Sequence, residues 1–185
     1  MKLIDNIESE LYLGVSKIPN AGIGLFTNQV IPTGIPVCEY KGDIFLDNEI
    51  GMVPLNQRYD YTLTNGARTR HMEYAGTWRS PNEEQYQIDA HPMFCKGEIG
   101  LGGFANDALN WEQRQGRPKE DEGLNLEWRR RVGYNCYYWN VPKEKKSFLI
   151  SFCRIEAGSE ILVDYGDEYW ECVGKIRPQE MKKKK

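Results

Sequence analysis

The chain has 185 residues, 40% hydrophobic and 28% charged, with a formal net charge of −3. That length can bury a sizeable core and makes one domain the default. The near-neutral balance gives no reason to expect nucleic-acid binding. Cys38, Cys95, Cys136, Cys153 and Cys172 are odd in number and form no C-x-x-C pair. This argues against a disulfide framework and a zinc site, and for a reducing compartment, nuclear or cytoplasmic. No apolar run reaches transmembrane length, and "MKLIDNIESELYLG" lacks a signal-peptide core.

Strand-like segments dominate. "LYLGVSKI" (11–18) comes first, and "GIGLFTNQVI" follows a Pro-Asn-Ala-Gly turn. "PVCEYKGDIF" (36–45) mixes β-branched and aromatic residues, "RYDYTLT" (58–64) alternates in period two, and "YQIDA" (86–90) is short. "GFANDALNWEQRQ" (103–115) predicts one or two helical turns, and residues 111–133, with mixed charges and Gly-Arg-Pro, read as a surface insertion. "RVGYNCYYWNV" (131–141), "SFLISFCRI" (147–155) and "SEILVDYG" (159–166) complete the strands. "PKEKK" (142–146) reads as a hairpin loop and "EAGSE" (156–160) as a tight turn. A short helix is expected from Asp167 onward, then a basic tail that reads as solvated. The expected organisation is one mainly β domain over 1–185, with a core of about 15–170 and a tail over 171–185.

Chemistry is narrowed by elimination. His71 and His91 lie in no nucleophile motif, and no G-x-S-x-G elbow, P-loop or G-x-G-x-x-G is present. What remains is glycine, asparagine and tyrosine. Gly22 and Gly24 precede Leu25 and Phe26, where glycines form a plain turn or let backbone approach a ligand. Asn106 and Asp107 interrupt an apolar, small-residue stretch, and Asn106 either satisfies local backbone or binds a ligand. Tyr40, Tyr138 and Tyr165 each read as strand packing or as hydroxyls at a site.

Taken together, the ordered pieces resemble a SET domain, the fold of protein-lysine methyltransferases. "GIGLF" is similar to the family's opening G-x-G-[LVI]-[FY], "EYKGDI" to its EYxGE strand, and "YQIDA" to YxIDA. "FANDA…YNC" resembles FxNHS…PNC, and "RIEAGSEILVDYGDEYW" resembles IxxGEELTxDYG. Two departures stand out: Asp107 replaces the family histidine, and no cysteine cluster flanks the domain. The chain therefore resembles compact members without zinc-binding flanks. The resemblance implies a fold of several small β-sheets with few short helices. It also implies a threaded C-terminal segment that brings "ND" beside "DYG".

The resemblance further implies transfer of a methyl group from S-adenosylmethionine to a lysine ε-amine, by in-line displacement that depends on positioning. The implied partner is a lysine-containing protein, with a histone tail as the expected substrate and mono- or dimethylation as the outcome. A silent peptide-binding module and a non-histone substrate are the alternatives. Tyr165 takes the place of the catalytic tyrosine, with Tyr40 and Tyr138 as channel tyrosines. Ile23, Gly24 and Leu25 would meet the cofactor through backbone, Asn106 through its amide, and Asp107 mainly through backbone. Trp170 would pack on adenine, and Val163 stands where many members carry the residue that tunes methyl number. Strand geometry puts Ile161, Val163 and Tyr165 on one face. The peptide groove is expected to be formed partly by residues 44–85, with the insertion 111–133 as a further contributor.

Overall fold

A computed structural model describes residues 6–46, 62–65, 86–90, 97–109, 113, 126–166 and 170. The architecture is three small antiparallel sheets. Strands β1 (Leu11–Val15) and β2 (Ile23–Thr27) form the first, with Gly14 opposite Gly24. Between them the chain reverses through Asn20 (φ 65°) and Gly22 (φ 76°), the left-handed conformations a tight reversal needs.

The second sheet has the order β3-β8-β7. It comprises β3 (Pro36–Glu39), β7 (Cys136–Val141) and β8 (Lys146–Ser151). Here the predicted hairpin forms: a 3₁₀ turn at Pro142–Glu144 and a left-handed Lys145 (φ 52°) join β7 to β8. The third sheet, β4-β6-β5, pairs β4 (Asp43–Leu46) and β5 (Thr62–Asn65) with β6 (Tyr86–Asp89). "PVCEYKGDIF" is thus two strands, because the chain leaves one sheet at Tyr40 and enters another at Asp43. Residues 58–61 and most of 44–85 lie outside the described residues, as do His71, His91, Cys95, Cys172 and the tail.

The helical turn predicted at 103–115 is met at Gln113, which is helical, while residues 110–112 and 114–115 lie outside the described residues; a 3₁₀ turn over Leu101–Phe104 precedes it. Asn106 is extended, because it bridges Leu162. A β-carbon on Gly102 would lie 3.0 Å from the Glu39 carbonyl oxygen, so the glycines here let the turn lie against the backbone that carries Tyr40. The charged stretch 111–133 ends in helix α1 (Leu126–Val132), a surface helix that exposes Leu126, Glu127, Arg130 and Arg131 and buries Trp128 and Arg129.

"SEILVDYG" is extended but joins no sheet; it makes single bridges to Phe26 and Asn106. Its backbone alternates partners. The Ile161 and Val163 amides donate to Leu25 O (2.7 Å) and Asn106 O (2.9 Å). Leu162 donates to Asn135 Oδ1 (2.9 Å), and its carbonyl accepts from the amides of Asn135 and Cys136. The "EAGSE" turn forms as expected, with Gly158 at φ 78°. Ile161 and Val163 are fully buried in the main core with Leu25, Ile31, Val37 and Leu149, and Tyr165 packs against it. No helix among the described residues is long and apolar enough to cross a membrane.

Cys38 and Cys136 sit in that core with free thiols. Burial foremost, with Glu8 adding, pushes the Cys38 thiol far up. Burial, then Cys38 and Cys153, raises Cys136 likewise. Each keeps its proton in the native state while the unfolded chain would lose it. Their contribution to stability is therefore complete below about pH 8 and drains as pH rises above about 9. Unfolding free energies measured in denaturant from pH 7 to 10.5 should fall along this limb. The fall should be shallower in a Cys38→Ala/Cys136→Ala variant.

Candidate active site

The elements converge on the segment from Glu160 to Gly166. Glu160 is 5% exposed. Its carboxylate accepts from Ser16 Oγ (2.6 Å), the Lys17 amide (2.8 Å) and Asn106 Nδ2 (3.2 Å). Asn106 Nδ2 also donates to Ile23 O at 3.1 Å. Both amide donors of Asn106 are thereby used, and Oδ1 is the atom left to accept. Gly24 lies against this pair, and a β-carbon there would collide with Glu160 Oε1 and come within 3.1 Å of Asn106 Nδ2. The glycine is required by the carboxylate beside it. Leu25 is fully buried, and its carbonyl holds Ile161.

Asp107 is 4% exposed and ties several elements together. Its Oδ1 accepts from the Tyr134 hydroxyl (2.6 Å) and the Leu109 amide (2.9 Å). Its Oδ2 accepts from the Tyr165 amide (3.0 Å) and Trp170 Nε1 (2.9 Å). The expected meeting of "ND" with "DYG" is thus observed.

Two of the three tyrosines meet, and the third acts electrostatically on Tyr138. Tyr40, 5% exposed, packs edge-on against Tyr138, with ring centroids 5.9 Å apart and planes at 82°. Tyr165 is half-buried; its hydroxyl donates to Ala105 O (2.9 Å), and its ring stacks on Trp170 with planes at 21°. Tyr138 keeps some exposed ring area, yet burial pushes its phenol well above the usual value. Tyr40, Tyr165, Asp107 and Asp164 push it the same way. Tyr138 is therefore a neutral phenol throughout the physiological range.

A family model for the SET domain matches residues 22–166. The chain belongs to the SET-domain family. No curated protein matches it. SET domains are in general protein-lysine methyltransferases acting on a lysine-containing protein. In this SET domain, Leu25, Asn106 and Asp107 bond directly to the segment 160–166, and Gly24 lies against Glu160 at its start.

The motifs placed several further residues without announcing their roles. Glu160 stands at the second acid of the IxxGEELTxDYG pattern, within a segment read as a turn and a strand. Tyr134 and Asp107 are both departures from the SET pattern, and they touch. Asn135 is a backbone clamp: Nδ2 donates to Glu160 O (2.7 Å) and Oδ1 accepts from Leu162 N. Arg129 came from the charged stretch, yet its guanidinium is buried 2.8 Å from Asp164 Oδ2 and 5.7 Å from the Tyr134 ring.

The Arg129–Asp164 pair anchors α1 to the residue preceding Tyr165, while Asp164 Oδ1 accepts from the Gly166 amide (2.9 Å). Both side chains are at most 4% exposed. Removing one partner strands a buried charge, so Arg129→Ala should cost about 3–5 kcal/mol in chemical denaturation. The exposed pair Lys41–Glu98 provides the contrast, and Lys41→Ala should cost less than about 1 kcal/mol.

Proposed function

We propose that this SET domain is an S-adenosylmethionine-dependent protein-lysine N-methyltransferase acting on histone tails. The observation carrying the reading is the Tyr40–Tyr138 edge contact, together with a Tyr165 bonded to Ala105 and Asp107 on either side of Asn106, itself against Gly24. These side chains fit the cofactor. Asn106 offers only its carbonyl oxygen, which suits a donor such as the ammonium of a methionine moiety, and the negative Glu160 lies behind it. Gly24 presents backbone with no side chain in the way. Trp170 supplies an aromatic face for a purine. Bound there, the cofactor supplies an activated methyl on a sulfonium.

The chain's own work is positioning and desolvation. A lysine ε-amine is charged at neutral pH, with an ordinary pKa near ~10.4. Packed against Tyr40 and Tyr138 it loses hydration, which favours the neutral, nucleophilic form. Tyr138 is not the base, because its raised pKa keeps it protonated and a phenol already holding its proton accepts none at neutral pH. Its roles are wall and hydrogen-bonding partner for the amine. Tyr165, fixed at its hydroxyl by Ala105 O and at its amide by Asp107, defines where the amine meets the methyl. A ring held at its hydroxyl and at its amide keeps the line of attack. The crowding of Tyr138 against Tyr40 supports addition of one methyl, or at most two.

Incubating the protein with methyl-labelled S-adenosylmethionine and mixed histones should label a histone band. Tyr165→Phe should reduce the transfer rate about 100-fold through lost alignment. Calorimetry with S-adenosylhomocysteine on the same sample should give saturable binding. Binding without transfer to any histone would move the substrate outside chromatin, and no binding would end the cofactor-dependent reading.

A further inference from the structure

The SET pattern places a histidine where this chain has Asp107 and a proline where it has Tyr134. Taken singly, each exchange looks like decay of a motif. Their geometry says otherwise. An ionised carboxylate is acceptor-only and offers about four lone-pair directions. Asp107 fills them with the Tyr134 hydroxyl, the Leu109 amide, the Tyr165 amide and the Trp170 indole N–H, all between 2.6 and 3.0 Å. A neutral imidazole has one acceptor nitrogen and could not take these four donors. A proline at 134 could not donate through its side chain. The two exchanges are therefore a matched pair, in which a short acid replaces a ring at 107 and a ring with a hydroxyl fills the space from 134.

We propose that Asp107 is a positioning residue that latches the closing aromatic Trp170 onto Tyr165, with Tyr134 bracing the latch from behind. A single oxygen, Oδ2, holds both the Tyr165 backbone amide and the Trp170 indole. The two rings are thereby set nearly parallel, with centroids 6.4 Å apart. Charge-assisted bonds to a buried carboxylate are stronger than neutral ones, because the surroundings screen them little. With its side-chain oxygens committed to the protein, Asp107 acts on a cofactor through Trp170 rather than by its own carboxylate. The consequence for the cofactor rests on the methyltransferase reading. The latch itself does not.

Two measurements keep the latch and the methyltransferase reading apart. The first needs no cofactor. In nitrogen-15 spectra of the full chain, the Trp170 indole resonance is identified by its loss in Trp170→Phe. It should exchange slowly with solvent in the wild type, as a buried, bonded N–H does. It should shift and exchange faster in Asp107→Ala, while Tyr165→Phe, which keeps the backbone amide, should leave it protected. Rapid exchange of that indole in the wild type would overturn the latch even if Asp107→Ala fails to fold. So would a resonance unmoved in a folded Asp107→Ala.

The second measurement is a double-mutant cycle on S-adenosylhomocysteine affinity. Asp107→Ala and Trp170→Phe should each weaken binding about tenfold, and the double variant no more than the weaker single, because both break one contact. Multiplying losses would refute the latch as the route to the cofactor. If wild-type protein binds no S-adenosylhomocysteine while its indole is protected, the methyltransferase reading fails and the latch stands.

Discussion

Residues 160–166 belong to no sheet, yet their buried backbone needs partners. It finds them by alternation, with Ile161 and Val163 bonding toward Leu25 and Asn106 and Leu162 toward Asn135 and Cys136. An orphaned amide in this position would cost about 1–3 kcal/mol. The alternation leaves little freedom in register, because a one-residue slip would exchange the two sets of partners and expose Ile161 and Val163. The positions of Tyr165 and Asp164 follow from it. So does the placement of Asn106, whose backbone carbonyl receives Val163 while its side chain reaches Ile23 and Glu160.

Around that segment the structure buries three acids, each with its own donors. Glu160 takes a hydroxyl and two N–H groups; Asp164 takes a guanidinium and a backbone amide; Asp107 takes four donors. Ionised carboxylates survive in a core only when such donors surround them. Their negative field reaches the tyrosines, and Asp107 and Asp164 both help to keep Tyr138 protonated. A site lined this way is suited to a cationic guest. Both a lysine amine and a methionine-type ammonium answer that description.

Much of the fold was written locally. The apolar and aromatic "LYLGV", the β-branched and aromatic "SFLIS", and the turn chemistry of "EAGSE" and "PKEKK" each specify an element without help from afar. Where the reading went astray, distant partners had intervened. "PVCEYKGDIF" has the composition of one strand, but it changes sheets after Glu39. "SEILVDYG" has the pattern of a strand, but its neighbours are single residues rather than a ladder. "LEWRRRV" looked solvated by its charge, but Arg129 has a buried carboxylate to meet.

The sequence by itself determined the family, the order of the motifs and the identity of the tyrosines and asparagine at the site. Those are properties of residue type and spacing, and they survive without coordinates. The tertiary structure alone decided what each polar side chain is bonded to. Asp107 could be read from the chain only as a missing histidine, and Tyr134 only as a missing proline. They are separated by 27 residues and Asp107 from Trp170 by 63, so no local pattern links them. A buried carboxylate takes its meaning from the donors that fold around it, and those of Asp107 come from Leu109 beside it, from Tyr134 and from the segment holding Tyr165 and Trp170.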